Sequence, residues 1–122
     1  MKTILIVDDS RIMRNLVKST LTELQIPSQF LEAENGKKAI QLLETNKVSL
    51  ILLDWNMPQM DGMQFLKKVR SMPDYKELPI IMVTSESAKY NVVEALQNGA
   101  TDYIVKPFSD KVFMEKLSEI EF

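Results

Sequence analysis

The stretch Leu50-Ile-Leu-Leu-Asp-Trp-Asn-Met-Pro58 decides how this chain is read. Leu50 to Leu53 is apolar without a break, so both faces of that strand are buried and it belongs inside a covered sheet. Asp54 then ends the run, at a place neither safely in water nor obviously paired. Asn56 and Pro58 turn the chain away. The same signature, an apolar run closed by a polar group, recurs elsewhere. Thr3 to Val7 leads to Asp8 and Asp9, Pro79 to Val83 to Thr84 and Ser85, and Asp102 to Val105 to Lys106.

Between these runs the apolar period becomes helical. Ser10 to Leu24 carries Met13, Leu16, Val17, Leu21 and Leu24 on one stripe. Gly36 to Glu44 turns Ala39, Ile40 and Leu43 inward. Asp61 to Met72 carries Met63, Leu66, Val69 and Met72 and is ended by Pro73. Ala88 to Asn98 is closed by Gly99, a left-handed cap. Ser109 to Glu121 is the last helix, with Phe113, Leu117 and Ile120 on one side. Gln29 to Ala33 is a shorter, more polar strand and is expected at an edge, while the strands at Ile4, Leu50 (from Ser49) and Ile80 are expected in the centre. Five strands alternating with five helices make a single doubly wound α/β domain over residues 1–122, with a five-stranded parallel sheet covered on both faces.

Composition narrows the chemistry. The 122 residues are 45% hydrophobic and 26% charged, with a net charge of −2. That balance provides no basic field for nucleic acid and no polybasic patch for a membrane. There is no cysteine, hence no disulfide framework or thiolate metal site, and no histidine to act as acid, base or nitrogen ligand. No segment reaches transmembrane length, and the expected location is the cytoplasm.

In a parallel sheet all strand C-termini lie along one edge, where ligands bind. Asp8, Asp9, Asp54, Thr84, Ser85 and Lys106 therefore converge, since adjacent strands are about 4.8 Å apart. Each has an ordinary role when taken singly. Asp8 and Asp9 can cap a helix, Asp54 can serve a turn, Thr84-Ser85 can be an N-cap, and Lys106 can be a surface charge. Random turn chemistry would scatter such groups over both edges. Three close carboxylates repel unless one is protonated or a cation joins them. Mg²⁺ meets that need, because it takes one or two carboxylates together with water and phosphate oxygens.

Five segments in order, "ILIVDDS" (4–10), "ENGKKA" (34–39), "LILLDWNMPQMDG" (50–62), "PIIMVTSES" (79–87) and "NGATDYIVKPF" (98–108), resemble the response-regulator receiver domain, in its stand-alone CheY-type chemotaxis form. The resemblance spans nearly the whole chain. It implies the flavodoxin-like sheet order 2-1-3-4-5, which is the family's own and not a product of the pattern. It implies that Asp54 is the phosphoacceptor. Asp9 directly, Asp8 mainly through water, Asp54 and the Asn56 backbone carbonyl would hold Mg²⁺. Thr84 and Lys106 would contact the phosphoryl oxygens, and the Lys106-Pro107 bond would be cis. Thr84 and Tyr103 would form the switch. Asn56 and Glu86 would tune dephosphorylation, here toward a short-lived phosphorylated state.

The implied partners are a sensor histidine kinase as donor, an output protein such as the flagellar motor switch, and a phosphatase. The face from Ala88 to Leu117 would be read by the output protein, and the chain would act as a monomer without nucleic acid or membrane. It would catalyse its own phosphorylation and dephosphorylation without being an enzyme in the usual sense. An ionised carboxylate has no proton to lose, so the missing histidine is no obstacle to nucleophilic attack. Met57, Met60 and Met63 are read as packing, and Gly62 as backbone geometry. Three other readings compete. A Mg²⁺-dependent aspartyl-phosphate phosphohydrolase needs a cap domain and usually a second aspartate where Asn56 stands. A flavin carrier needs a hydroxyl- and glycine-rich loop where Asp8-Asp9 stands. A receiver cut from a longer regulator is the third.

Overall fold

The computed structural model describes residues 1–85 and 89–122, the side chains of residues 89 and 90 excepted. Glu86, and Ala88 at the start of the expected fourth helix, lie outside the described residues. The order is β1 (Lys2–Val7), α1 (Arg11–Glu23), β2 (Ser28–Ala33), α2 (Gly36–Thr45), β3 (Leu50–Leu53), α3 (Gly62–Arg70), a 3₁₀ turn (Pro73–Tyr75), β4 (Ile80–Thr84), α4 (Lys89–Gln97), β5 (Asp102–Val105) and α5 (Asp110–Ser118). All pairings are parallel, in the order β2-β1-β3-β4-β5. The expected fold and the edge position of β2 are both observed.

Alternation along the central strands builds two cores. Leu5, Val7, Ile51, Leu53, Ile80 and Met82 face α2, α3 and α4, where Ile40, Phe65, Leu66 and Ala95 meet them. Ile4, Ile6, Leu50, Leu52, Ile81 and Val83 face α1 and α5, where Val17, Leu21, Phe113 and Leu117 meet them. β1 from Ile4, the whole of β3, and β4 up to Val83 are therefore apolar on both faces, and that continuous burial places their ends where they are. Truncating one of these buried leucines to alanine would cost about 2–5 kcal/mol.

Helix ends and stripes depart from the sequence reading by single residues at several ends and by more in three places. Leu16 is 48% exposed, while Thr20 is buried in its stead. Leu16 lies one residue, about 100°, off the Val17 line, and Thr20 can be buried because its hydroxyl donates to the Leu16 carbonyl at 3.0 Å. α3 stops at Arg70 rather than Met72, because Met72 adopts extended backbone ahead of Pro73. α5 stops at Ser118 rather than Glu121. The chain turns after it, and Ile120 and Phe122 still pack on the second core. Gly99 does take the left-handed conformation after α4, at φ 106°.

Candidate functional site

The acidic groups are held in place by the sheet itself. Asp8 lies one residue past β1, yet its N–H still donates to the Ala33 carbonyl of β2 at 3.0 Å. Asp54 lies one residue past β3, and its N–H donates to the Val7 carbonyl at 2.8 Å. Lys106 follows β5 and donates its N–H to the Thr84 carbonyl at 2.8 Å. The ladder thus runs one step beyond the strands, so these residues share the rigidity of the core.

Asp8 and Asp54 are 5% and 8% exposed, whereas Asp9 is exposed. One carboxylate oxygen from each of the three lies within 4.8 Å of the others. Lys106 Nζ reaches across the sheet to donate to Asp8 Oδ2 at 3.0 Å and to Asp54 Oδ1 at 3.3 Å. Asp8 Oδ1 accepts the Ser10 N–H at 2.9 Å, and Ser10 in turn caps α1 through its hydroxyl. Burial pushes the Asp54 carboxyl above its usual range, the Asp8 charge pushes it further, and Lys106 opposes both. Among the described residues one ammonium stands against the three carboxylates, an excess of two negative charges. An all-oxygen cluster with that deficit suits a hard divalent cation, so the residues present fit Mg²⁺.

The loop after Asp54 is shaped to keep it in reach. Trp55 packs on the first core beside Met57 and Met60, with Met63 buried below, as the packing reading of the methionines expects. Asn56 is exposed in this loop. Gln59 has positive φ, at 69°. Gly62 N–H donates to the Trp55 carbonyl at 2.7 Å, folding the loop back on itself. A Cβ at Gly62 would collide with the Asp54 carbonyl oxygen, so this close approach requires glycine. Asp61 and Gln64 close a capping box on α3. That pairing is readable in "DGMQ" as an acid followed three residues later by glutamine.

Thr84 is the last residue of β4 and is 2% exposed. Tyr103 pairs with Met82 in register, so Thr84, two residues further along β4, shares its face of the sheet. Tyr103 is half-buried and packs on the first core. The Lys106-Pro107 bond is cis.

Two supporting residues are absent from the sequence reading. Arg14 on α1 donates to the Asp8 backbone carbonyl at 2.6 Å and, through Nε, to Glu32 Oε1 at 3.0 Å. Lys18, one turn later, donates to Glu32 Oε2 at 2.9 Å. The Lys18 hydrogen bond holds the Glu32 carboxyl below its ordinary value, with Arg14 adding to it and burial opposing. The available signal was two cations four residues apart on α1 and an acid inside β2.

The response regulator receiver domain family model matches residues 4–118. A chemotaxis protein CheY homolog from Campylobacter jejuni is 48% identical over 118 residues, covering 96% of this chain and 90% of the relative. The crystal structure of Vibrio cholerae chemotaxis protein CheY4 is 33% identical with a TM-score of 0.89, covering 99% of both chains. The Mn²⁺-bound response regulator Rcp1 is 26% identical with a TM-score of 0.83, covering 99% of this chain and 92% of that one. With the family model matched along almost the whole sheet and a relative at nearly half identity, the chain belongs to the response regulator receiver domain family.

Proposed function

We propose that this chain is a phosphoacceptor switch of a two-component chemotaxis system, with Asp54 taking the phosphoryl group. One observation carries the reading. A buried carboxylate, pinned by the backbone ladder, stands beside two further carboxylates and within 3.3 Å of a lysine ammonium. An Asp54 oxygen attacks phosphorus, and an O–P bond forms as the donor's bond to phosphorus breaks. For a kinase phosphohistidine, the electron pair leaves on the imidazole nitrogen. Phosphoryl transfer asks for positioning and for charge around the moving oxygens, and little else.

Lys106 can turn from the carboxylates to a phosphoryl oxygen, and the Thr84 hydroxyl can donate to another. Asp9, Asp8, Asp54 and the Asn56 carbonyl would hold Mg²⁺, which supplies positive charge against the phosphoryl oxygens. Water later attacks the acyl phosphate, returning the Asp54 carboxylate and inorganic phosphate, at a rate tuned by the Asn56 and Glu86 side chains. The chain acts on itself alone and turns over no separate substrate.

The output follows from Thr84 and Tyr103 sharing one face of the sheet. As Thr84 moves toward the phosphoryl group, Tyr103 turns into the space behind it and reshapes the surface of α4, β5 and α5. That surface exposes Val93, Leu96 and Val112 and carries a groove of about 400 Å³ bounded by Tyr103, Val105, Pro107 and Lys116. Apolar exposure of this kind suits an output protein, of which the flagellar motor switch is one. A histidine kinase as donor and a phosphatase complete the partners. Among the described residues no helix is long and apolar enough to cross a membrane, and we assign the chain to the cytoplasm as a monomer over residues 1–122. Intact mass after incubation with acetyl phosphate and Mg²⁺ tests the acceptor. One phosphoryl group is expected on the unaltered chain and none on Asp54→Asn or with excess chelator; full incorporation in either control overturns the assignment.

A further inference from the structure

Tyr103 is held by a group from the opposite side of the sheet. Its N–H donates to Asp102 Oδ1 at 2.8 Å, and the same oxygen accepts from Lys116 Nζ at 3.2 Å. That ammonium stands 4.8 Å from the centroid of the Tyr103 ring. Alternation along β5 sends Ile104 to the second core, on the α5 side, and Tyr103 to the first. Lys116, on α5, meets the ring only because β5 is the last strand and leaves its outer edge open. A ring touched by Lys116 is thus a ring kept at that edge. Thr84 lies the other way, on the inner neighbour strand and the same face.

We propose that Lys116, anchored by Asp102, is a positioning residue that holds Tyr103 at the sheet edge in the unphosphorylated chain. The ring then reaches toward Thr84 only by leaving the ammonium. This rests on the reading of Thr84 and Tyr103 as the switch pair. The consequence is a bias. The cation–ring contact and the partly buried ion pair belong to the resting arrangement, so they weigh against any ligand that needs the other one. Coupling is reciprocal, and removing Lys116 must therefore ease occupancy of the Asp54 site by a phosphoryl mimic. Long-range charge has the opposite sign: losing a cation lowers the attraction of the protein for an anion. A gain in anion affinity cannot come from the field of Lys116.

The test titrates beryllofluoride against the intact protein at saturating Mg²⁺, following Trp55 fluorescence for the midpoint and the Tyr103 ring proton shifts for the ring. Lys116→Met keeps an unbranched apolar stem and removes the charge. Its midpoint should fall roughly three- to fivefold, and its ring shifts without ligand should move part of the way toward the beryllofluoride-bound values. Lys116→Arg should restore both. Asp102→Asn, which still offers an oxygen to the Tyr103 N–H, should reproduce part of the effect. An unchanged or raised midpoint in Lys116→Met, with the ring of the unaltered protein still responding to beryllofluoride, overturns the clamp and leaves the switch standing. A ring in the unaltered protein that ignores beryllofluoride overturns the switch, and the clamp with it.

Discussion

Asp54 and Glu32 flank the same strand, and their surroundings push them in opposite directions. Glu32, paired in register with Ile6, takes a cation on each oxygen, Arg14 on one and Lys18 on the other, and its carboxyl is held below its ordinary value. Asp54, hydrogen-bonded to Val7, is buried with Asp8 and shares one ammonium with it, and its carboxyl is pushed up. One charge is satisfied by the fold and the other is left wanting. The satisfied one braces the loop, since Arg14 also grips the Asp8 carbonyl. The unsatisfied one is where a cation and a phosphoryl group can be gained. A folded chain tolerates such a cost where function uses it.

The comparison can be broken most severely at Lys106. Lys106→Ala leaves Asp8 and Asp54 buried without their shared cation, which should cost about 2 kcal/mol and lower the metal-free melting temperature by roughly 8 °C. Millimolar Mg²⁺ should recover most of that loss. Calorimetry with and without Mg²⁺ decides it, and a variant melting with the unaltered protein would show that Lys106 does not hold the crevice together.

Metal affinity is the next largest effect. Asp9→Asn should weaken Mg²⁺ binding about tenfold and Asp8→Asn less, because a direct ligand matters more than one acting through water. Glu32→Gln should stay within about twofold, since Glu32 reaches the crevice only through Arg14. Titrations followed by Trp55 fluorescence compare all three, and equal losses for Asp8 and Asp9 would undo their division of labour.

Opposite signs should appear in metal-free stability. Asp54→Asn removes a charge that the fold disfavours and should raise the melting temperature by about 3 °C. Glu32→Gln removes a favoured charge that water partly screens, and should lower it by about 2 °C. Shifts of the same sign in both variants would erase the contrast.

The smallest effect is its pH dependence. The folded Asp54 carboxyl titrates above its unfolded value of 3.8, so folding is favoured while it is protonated and loses that help as pH rises through the folded pKa. The advantage of Asp54→Asn should be full above the folded pKa of Asp54 and vanish below 3.8. Glu32 is depressed from 4.5, so its contribution is present above that value and fades as pH falls through the folded pKa. Denaturant midpoints taken from neutral to acid pH should show the gain of one variant and the deficit of the other shrinking together.

What the sequence determined by itself is what one segment can settle alone. Continuous apolar runs at Ile4, Leu50 and Ile80 meant burial on both faces, the mixed run at Phe30 meant an edge, and the residues after each run had to meet at one side of the sheet. That alone brings Asp8, Asp9, Asp54 and Lys106 together, as their contacts bear out. Only the tertiary structure decided who pairs with whom. Lys106 and Asp8 are 98 positions apart, Arg14 and Glu32 18, and Lys116 and Asp102 14, and each pair spans two different elements. It also moved burial on α1 from Leu16 to Thr20. The physical reason is one of range. Period and turn chemistry act over a few residues and are written locally, whereas an ion pair's partner depends on where helices land on the sheet and how far a side chain can reach from there.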